Sequence, residues 1–294
     1  MPQIFPLRSA LARTVVAAAV AGAVFAVPAA LASSSSVDKS AAALVPAKIK
    51  SKGTVTVAAD ASYAPNEFIG PDGHTVVGMD ADLSKALAAV MGLKANIVNA
   101  TFDTIIPGLQ SGKFDVGMSS FTDTKAREKQ VNFVDYFEAG TSFFEKTQGG
   151  PKVTNLASLC GLTVSVETGT TEQSDAQGQA KKCPSSKKLN VSAFPTQSAA
   201  NLALSSGRAQ VSMADSPVAA YQVKQSHGTF KLAGQTYGTA PYGIAVPKAD
   251  GTLDKAILMA IKDLQKNGTY AAILKKWGIQ SGADRKPALN GATS

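Results

Sequence analysis

From Ser119 to Arg127 the chain reads SSFTDTKAR. Ser119, Ser120 and Thr122 bring three hydroxyls close together, and Arg127 follows within one short helical stretch. A guanidinium clamps a carboxylate through two parallel hydrogen bonds, the strongest geometry open to it. Hydroxyls and main-chain carbonyls can hold an ammonium. Together these groups suit the two ends of a free α-amino acid. Taken alone, Arg127 is equally well read as a helix-surface arginine paired with Glu128.

Further along, residues 167–171 read ETGTT between a strand pattern and a helix pattern. Thr170 and Thr171 would offer hydroxyls and N–H groups at a helix N-terminus, an anion site. Ordinary helix capping is the competing role, and it needs only one of them. Asp215, in MADSPVAA, is placed to cap the helix opening at Ser216-Pro217. It is equally placed to accept an ammonium. Asp60 and Tyr63 follow the first strand in AADASYAPNEF, and Phe102 opens FDTIIPGL. Aromatics at these places can sandwich a ligand side chain, with core packing the alternative for Phe102. His74 and His227 lack carboxylates or cysteines at ligand spacing, which argues against a metal site. No GxSxG elbow and no phosphate-binding loop occurs.

The elements that must carry these residues alternate. Residues 54–59 (TVTVAA) read as a buried strand and 80–91 as a helix with Leu83, Leu87 and Val90 on one face. Residues 94–99 read as a strand, 104–110 as a helix and 114–119 as a strand. The scheme recurs with strands at 162–167, 191–194 and 209–214 and helices at 171–182, 197–205 and 216–225. This alternation predicts parallel sheets covered by helices. Leu109–Ser120 (LQSGKFDVGMSS) and Leu204–Asp215 (LSSGRAQVSMAD) also align without gaps. That echo predicts two related α/β lobes, with Ser120 and Asp215 at equivalent strand ends. Ligands of open α/β sheets bind beyond those ends, so both residues should face one cleft. A strand over residues 243–247 returns the chain to the first lobe, and helices over 253–265 and 270–277 follow.

Composition fits an exported globular chain: 45% of residues are apolar and 17% charged. Arg8 and Arg13 precede an apolar run over residues 15–27, which Pro28 breaks before Ala30-Leu31-Ala32. This is the pattern of a secretory signal peptide over residues 1–32, cleaved after Ala32. The run is short for a membrane span, which needs about 20 residues. Cleavage removes two arginines and lowers the formal charge from +8 to +6. Residues 33–53, small and Ser-rich, read as a flexible leader, and residues 281–294 as a loose tail. In an exported chain the two cysteines, Cys160 and Cys183, predict a disulfide worth roughly 3 kcal/mol on the loop-entropy argument. Lys181, Lys182, Lys187 and Lys188 lack interleaved aromatics and read as a solvated loop, so no nucleic-acid partner is expected.

Taken together, AADASYAPNEF, VVGMDADLSKAL, the stretch from Phe102 to Phe133, VETGTTEQ and ADSPVAAY resemble the bacterial extracellular solute-binding proteins of family 3. These are the polar amino-acid receptors of ABC importers. The resemblance implies a two-lobed periplasmic-binding-protein fold of type II, α/β, with two hinge strands. Lobe one would be residues 54–141 with 243–280, and lobe two 142–242. It implies that Arg127 holds the ligand α-carboxylate, assisted by Thr170 and Thr171. Ser120 and Thr122 would contact the α-ammonium and the carboxylate with Ser119 nearby, Asp215 would be the acidic partner of the α-ammonium, and Asp60, Tyr63 and Phe102 would line the side-chain pocket. It implies no cofactor, a monomer that docks on an ABC permease, and a free amino acid of polar or charged side chain as cargo. Asn66 stands where the family often has an aromatic at the pocket rim. The same fold hosts a cyclohexadienyl dehydratase, for which Glu67 or Glu172 would be the proton donor, and ligand sensor modules.

Overall fold

The computed structural model describes residues 36–292. The expected signal peptide, with its cleavage point after Ala32, lies outside the described residues. Two short helices, α1 (Lys39–Leu44) and α2 (Ala47–Lys52), lead into β1 (Thr54–Ala59). The short strands β2 (Ser62–Tyr63), β3 (Glu67–Ile69) and β4 (Val76–Val77) follow, then α3 (Met79–Val90), β5 (Lys94–Asn99), α4 (Phe102–Gln110), β6 (Val116–Gly117), α5 (Lys125–Glu128) and β7 (Asn132–Lys146). The scheme then repeats as β8 (Thr163–Glu167), α6 (Thr171–Ala180), β9 (Asn190–Phe194), α7 (Gln197–Ser205), β10 (Val211–Asp215), α8 (Ser216–Gln225) and β11 (Phe230–Val246). Helices α9 (Leu253–Lys266) and α10 (Thr269–Trp277) complete it.

Eight strands form one mixed sheet in the order β5-β1-β6-β11-β7-β10-β8-β9. The order is palindromic: β1, β5 and β6 occupy in one half the places that β8, β9 and β10 occupy in the other. Within each half these strands run parallel, as βαβ crossovers require. The long strands β7 and β11 cross between the halves and pair with each other antiparallel, with register breaks near Tyr237 and Ala240. The sequence echo is visible as geometry. Gly112 (φ 74°) and Gly207 (φ 78°) both take the left-handed conformation just past α4 and α7, and β6 and β10 follow.

Residues 39–52, expected as flexible leader, are instead α1 and α2. Asp38 caps α1 by accepting from the N–H groups of Ser40 and Ala41. Ala41, Val45 and Ile49 are buried in one apolar core with Leu253 and Ile257 of α9, α1 packing on α9 and α2 on β1. The expected loose tail is also packed as far as residue 292. Leu289 bridges to Val134 and Ala283 to Phe137. Asn290 accepts from the Phe133 N–H at 2.7 Å. Cys160 and Cys183 are disulfide-bonded with their Cα atoms 5.5 Å apart.

Beneath that C-terminal strap lie Asp123 and Asp135, both buried, each with one oxygen lacking a partner. Asp123 accepts from the Ala292 N–H at 3.1 Å, and the Asp135 N–H donates to the Ala288 carbonyl at 2.9 Å. Burial, with the charge of Asp123 beside it, pushes the Asp135 carboxyl up to about 8. The unfolded chain gives up this proton near pH 4, while the folded chain holds it to about pH 8. Stability therefore falls as pH rises through that window. Thermal melts between about pH 5 and pH 9 should show a falling midpoint, and Asp135→Asn should make the fall shallower.

Candidate ligand-binding site

The C-terminal ends of the parallel strands face one another across a shut cleft. Asp60 follows β1, Phe102 follows β5 and Ser119 follows β6. From the other half come Glu167, the last residue of β8, and Asp215, the last of β10. Direct hydrogen bonds bridge the halves. Arg127 Nη2 donates to the Gly169 carbonyl at 3.0 Å, the Tyr63 hydroxyl to Asp215 Oδ2 at 2.9 Å, and the Gln197 N–H to Ser62 Oγ at 3.0 Å. All ten residues expected to bind ligand line one cavity here, together with Glu67, Glu167 and Glu172.

Arg127 does not pair with Glu128. Lys125 takes that carboxylate at 2.9 Å. Thr124 caps α5 by accepting from the Arg127 N–H, and the guanidinium turns into the cleft. There Nη1 donates to the Thr122 carbonyl at 2.8 Å. The rings of Phe102 and Phe121 lie 5.3 and 5.4 Å from its carbon, within cation–π range. Burial pulls its pKa down while Glu172 and Asp215 pull it up, and a guanidinium keeps its proton throughout.

Ser119 and Ser120 are held from behind. Ser120 has a left-handed backbone (φ 51°), and its N–H donates to Asp80 Oδ2 at 2.9 Å. The Tyr136 hydroxyl donates to the same carboxylate at 2.8 Å. Glu67 accepts from Ser119 Oγ at 3.0 Å and Ser120 Oγ at 3.2 Å. Burial raises Asp80 to about 6 and lifts Glu67 well above its usual range, Asp80 adding to the push. Asn66, expected at the pocket rim, is fully buried behind this turn and donates to Ser120 Oγ at 2.9 Å.

In the other half Thr170 does cap α6, accepting from the Gln173 N–H at 3.2 Å and donating to the Glu167 carbonyl. Thr171 is left for the cleft, with its hydroxyl 3.2 Å from Glu172 Oε2. Asp215 makes no side-chain cap on α8. Its carboxylate instead meets the Tyr63 hydroxyl, which accepts in turn from the Asp215 N–H at 3.0 Å. Burial, then the charge of Glu172, pushes Asp215 well up. Asp60 accepts from the N–H groups of Ser62 and Phe102 at 3.1 and 3.0 Å. Glu167 was not anticipated. It ends a parallel strand as Asp215 does, and that position was the available signal. Five carboxyl groups thus face a single guanidinium in this cavity.

The profile of the bacterial extracellular solute-binding proteins, family 3, matches residues 55–280. The arginine-binding protein ArgT of Corynebacterium glutamicum is 33% identical over 251 residues, covering 84% of this chain and 82% of that protein. Among solved structures, an ancestral arginine-binding protein bound to arginine has TM-score 0.72 and 38% identity, covering 76% of this chain and 98% of that one. The ancestral protein bound to glutamine matches equally, at TM-score 0.72 and 37% identity over 77% and 98% of the two chains. An ancestral amino acid-binding protein described as a precursor of cyclohexadienyl dehydratase has TM-score 0.71 and 34% identity, covering 78% and 97%.

Proposed function

For this chain, which belongs to family 3 of the bacterial extracellular solute-binding proteins, we propose capture of a free α-amino acid with a positively charged side chain for an ABC importer. One observation carries the choice of cargo: five carboxyl groups and one guanidinium line a shut cleft. A zwitterion with a cationic side chain offers the complement, two cations and one carboxylate. The name of the Corynebacterium relative agrees with it.

In this reading Arg127 holds the carboxylate, with Thr171 and the α6 N-terminus assisting. Asp215, Ser120 and Thr122 surround the ammonium. Tyr63 and Phe102 flank the side chain. Residues 54–141 with 243–280 form one lobe and 142–242 the other, and α1, α2 and the strap to residue 292 enlarge the first. The lobes close by hinge bending of β7 and β11. Contacts from both lobes exist only when shut, so the ligand favours closure by its differential affinity. The closed monomer, exported from the cell, docks on a membrane permease. Binding rather than turnover is favoured by how the acids are engaged. Glu67 accepts from Ser119 and Ser120, and Glu172 from Thr141 and Thr171, so both are engaged by the protein's own hydroxyls.

Thermal shift against the free amino acids tests this. Arginine or lysine at 100 times its dissociation constant should stabilise the protein by about 2.7 kcal/mol. Absence of stabilisation by every α-amino acid overturns the reading.

A further inference from the structure

We propose that the C-terminal strap, residues 283–292, is a positioning element for amino-acid binding: it holds Asp123 in place, and through Asp123 the turn that aims Arg127 into the cleft. The inference rests on the amino-acid reading above and extends it to residues that touch no ligand.

The strap lies beyond the residues matched by the family profile, which ends at residue 280. It runs along the edge of β7 that β10 leaves open. Strand β10 pairs with residues 141–145 of β7, and the strap takes residues 133–137. The Asn290 N–H donates to the Phe133 carbonyl at 3.0 Å, returning the bond that its side chain accepts from the Phe133 N–H. Asn290 has a left-handed backbone (φ 52°), a conformation that turns the chain. Two residues later the Ala292 N–H reaches Asp123 Oδ2 at 3.1 Å.

Asp123 sits between the two anchors of Arg127. On one side the Thr122 carbonyl accepts from Nη1 at 2.8 Å, and on the other the Thr124 hydroxyl accepts from the Arg127 N–H at 3.2 Å. Strand β11 holds the main chain of this turn. The Asp123 N–H donates to the Pro241 carbonyl and the Gly243 N–H to the Phe121 carbonyl, each at 2.8 Å. The strap holds the carboxyl. Asp123 is 0% exposed, and Ala292 is its only main-chain donor among the described residues. A buried carboxyl that loses its donor keeps the cost of desolvation with nothing to offset it. The turn relieves that cost by shifting until water reaches the acid, and Thr122 and Thr124 shift with it. Arg127 then meets the ligand carboxylate without its pre-set geometry, and re-ordering it weakens binding. Neither Asp123 nor any strap residue lines the cavity, so the effect passes through position and not through contact.

Titration calorimetry with arginine and with lysine tests this on the purified protein. Asp123→Leu and Ala292→Pro remove the acceptor and the donor of one hydrogen bond. Each should weaken binding of the tighter ligand about 10-fold, and the double variant should lose no more than either alone. Asp123→Asn keeps an acceptor oxygen and should bind as the unmodified protein does. Gly53→Ala strains a left-handed residue in open space, so it should lower stability and leave affinity unchanged. That contrast separates position from stability. Hydrogen exchange supplies an arm that needs no variant to fold. Because coupling between sites is reciprocal, saturating ligand should slow exchange over residues 288–292 and not over residues 39–44 of α1. Unchanged affinity in both single variants, or unchanged exchange over residues 288–292, would overturn the proposal and leave the amino-acid reading standing. Failure of the unmodified protein to bind any amino acid would overturn that reading itself.

Discussion

Arg127→Ala is expected to lose about 2–5 kcal/mol of amino-acid binding, tens to thousands of fold in dissociation constant. The side chain is fixed before any ligand arrives. The Thr122 carbonyl and two aromatic rings of its own half orient its fork, so little rotamer freedom remains to be lost on binding. Alanine leaves the ligand carboxylate in the cleft without a cation, and an unpaired buried charge is what makes such truncations costly. Arg127→Lys should not restore affinity, because an ammonium cannot reproduce the planar fork. Calorimetry reads both variants directly. Unchanged affinity in Arg127→Ala would remove the carboxylate assignment.

Gly78→Ala should destabilise the fold by about 3–5 kcal/mol, although residue 78 touches no ligand. Its φ of 128° is open only to glycine at low cost. An added Cβ would stand 2.1 Å from the Asn66 carbonyl oxygen and 2.9 Å from Glu67 Cα, both main-chain atoms. The segment that must move carries Asn66 and Glu67, the partners of Ser119 and Ser120, so ligand affinity should fall along with stability. Gly53→Ala is the control. Gly53 is left-handed too (φ 64°), but nothing lies within 4 Å of the added carbon. It should cost only about 1–2 kcal/mol. Chemical denaturation of the pair separates strain from collision.

The site was more legible than its frame. The Leu109–Ser120 and Leu204–Asp215 echo pointed to two facing strand ends, and both Ser120 and Asp215 line the cavity. Strand β7 was missed. Its fifteen residues, NFVDYFEAGTSFFEK, are nearly all buried, so period-2 alternation is absent where that signal is sought. The leader and tail misled by composition. Segments rich in small residues read as loose, yet Ala41, Val45 and Ile49 recur every four residues and lie in the core that α9 and β1 help to build. Glu167 escaped because the cavity it lines is completed by residues of the other half, which no local pattern can supply.

The palindromic sheet also orders events in time. The parallel strands of the second half come from one uninterrupted stretch, β8 to β10, and can assemble as soon as it is available. The first half cannot finish that way. Its strand β6 is flanked on one side by β11, where Ala245 pairs with Gly117, and β11 is the last strand of the chain. Until it arrives, β6 is an open edge, a template for pairing with another chain. As the chain emerges from its N-terminus, the half whose strands appear first is thus the half that closes last, and the danger of misassembly falls on the cavity-lining turn just beyond β6.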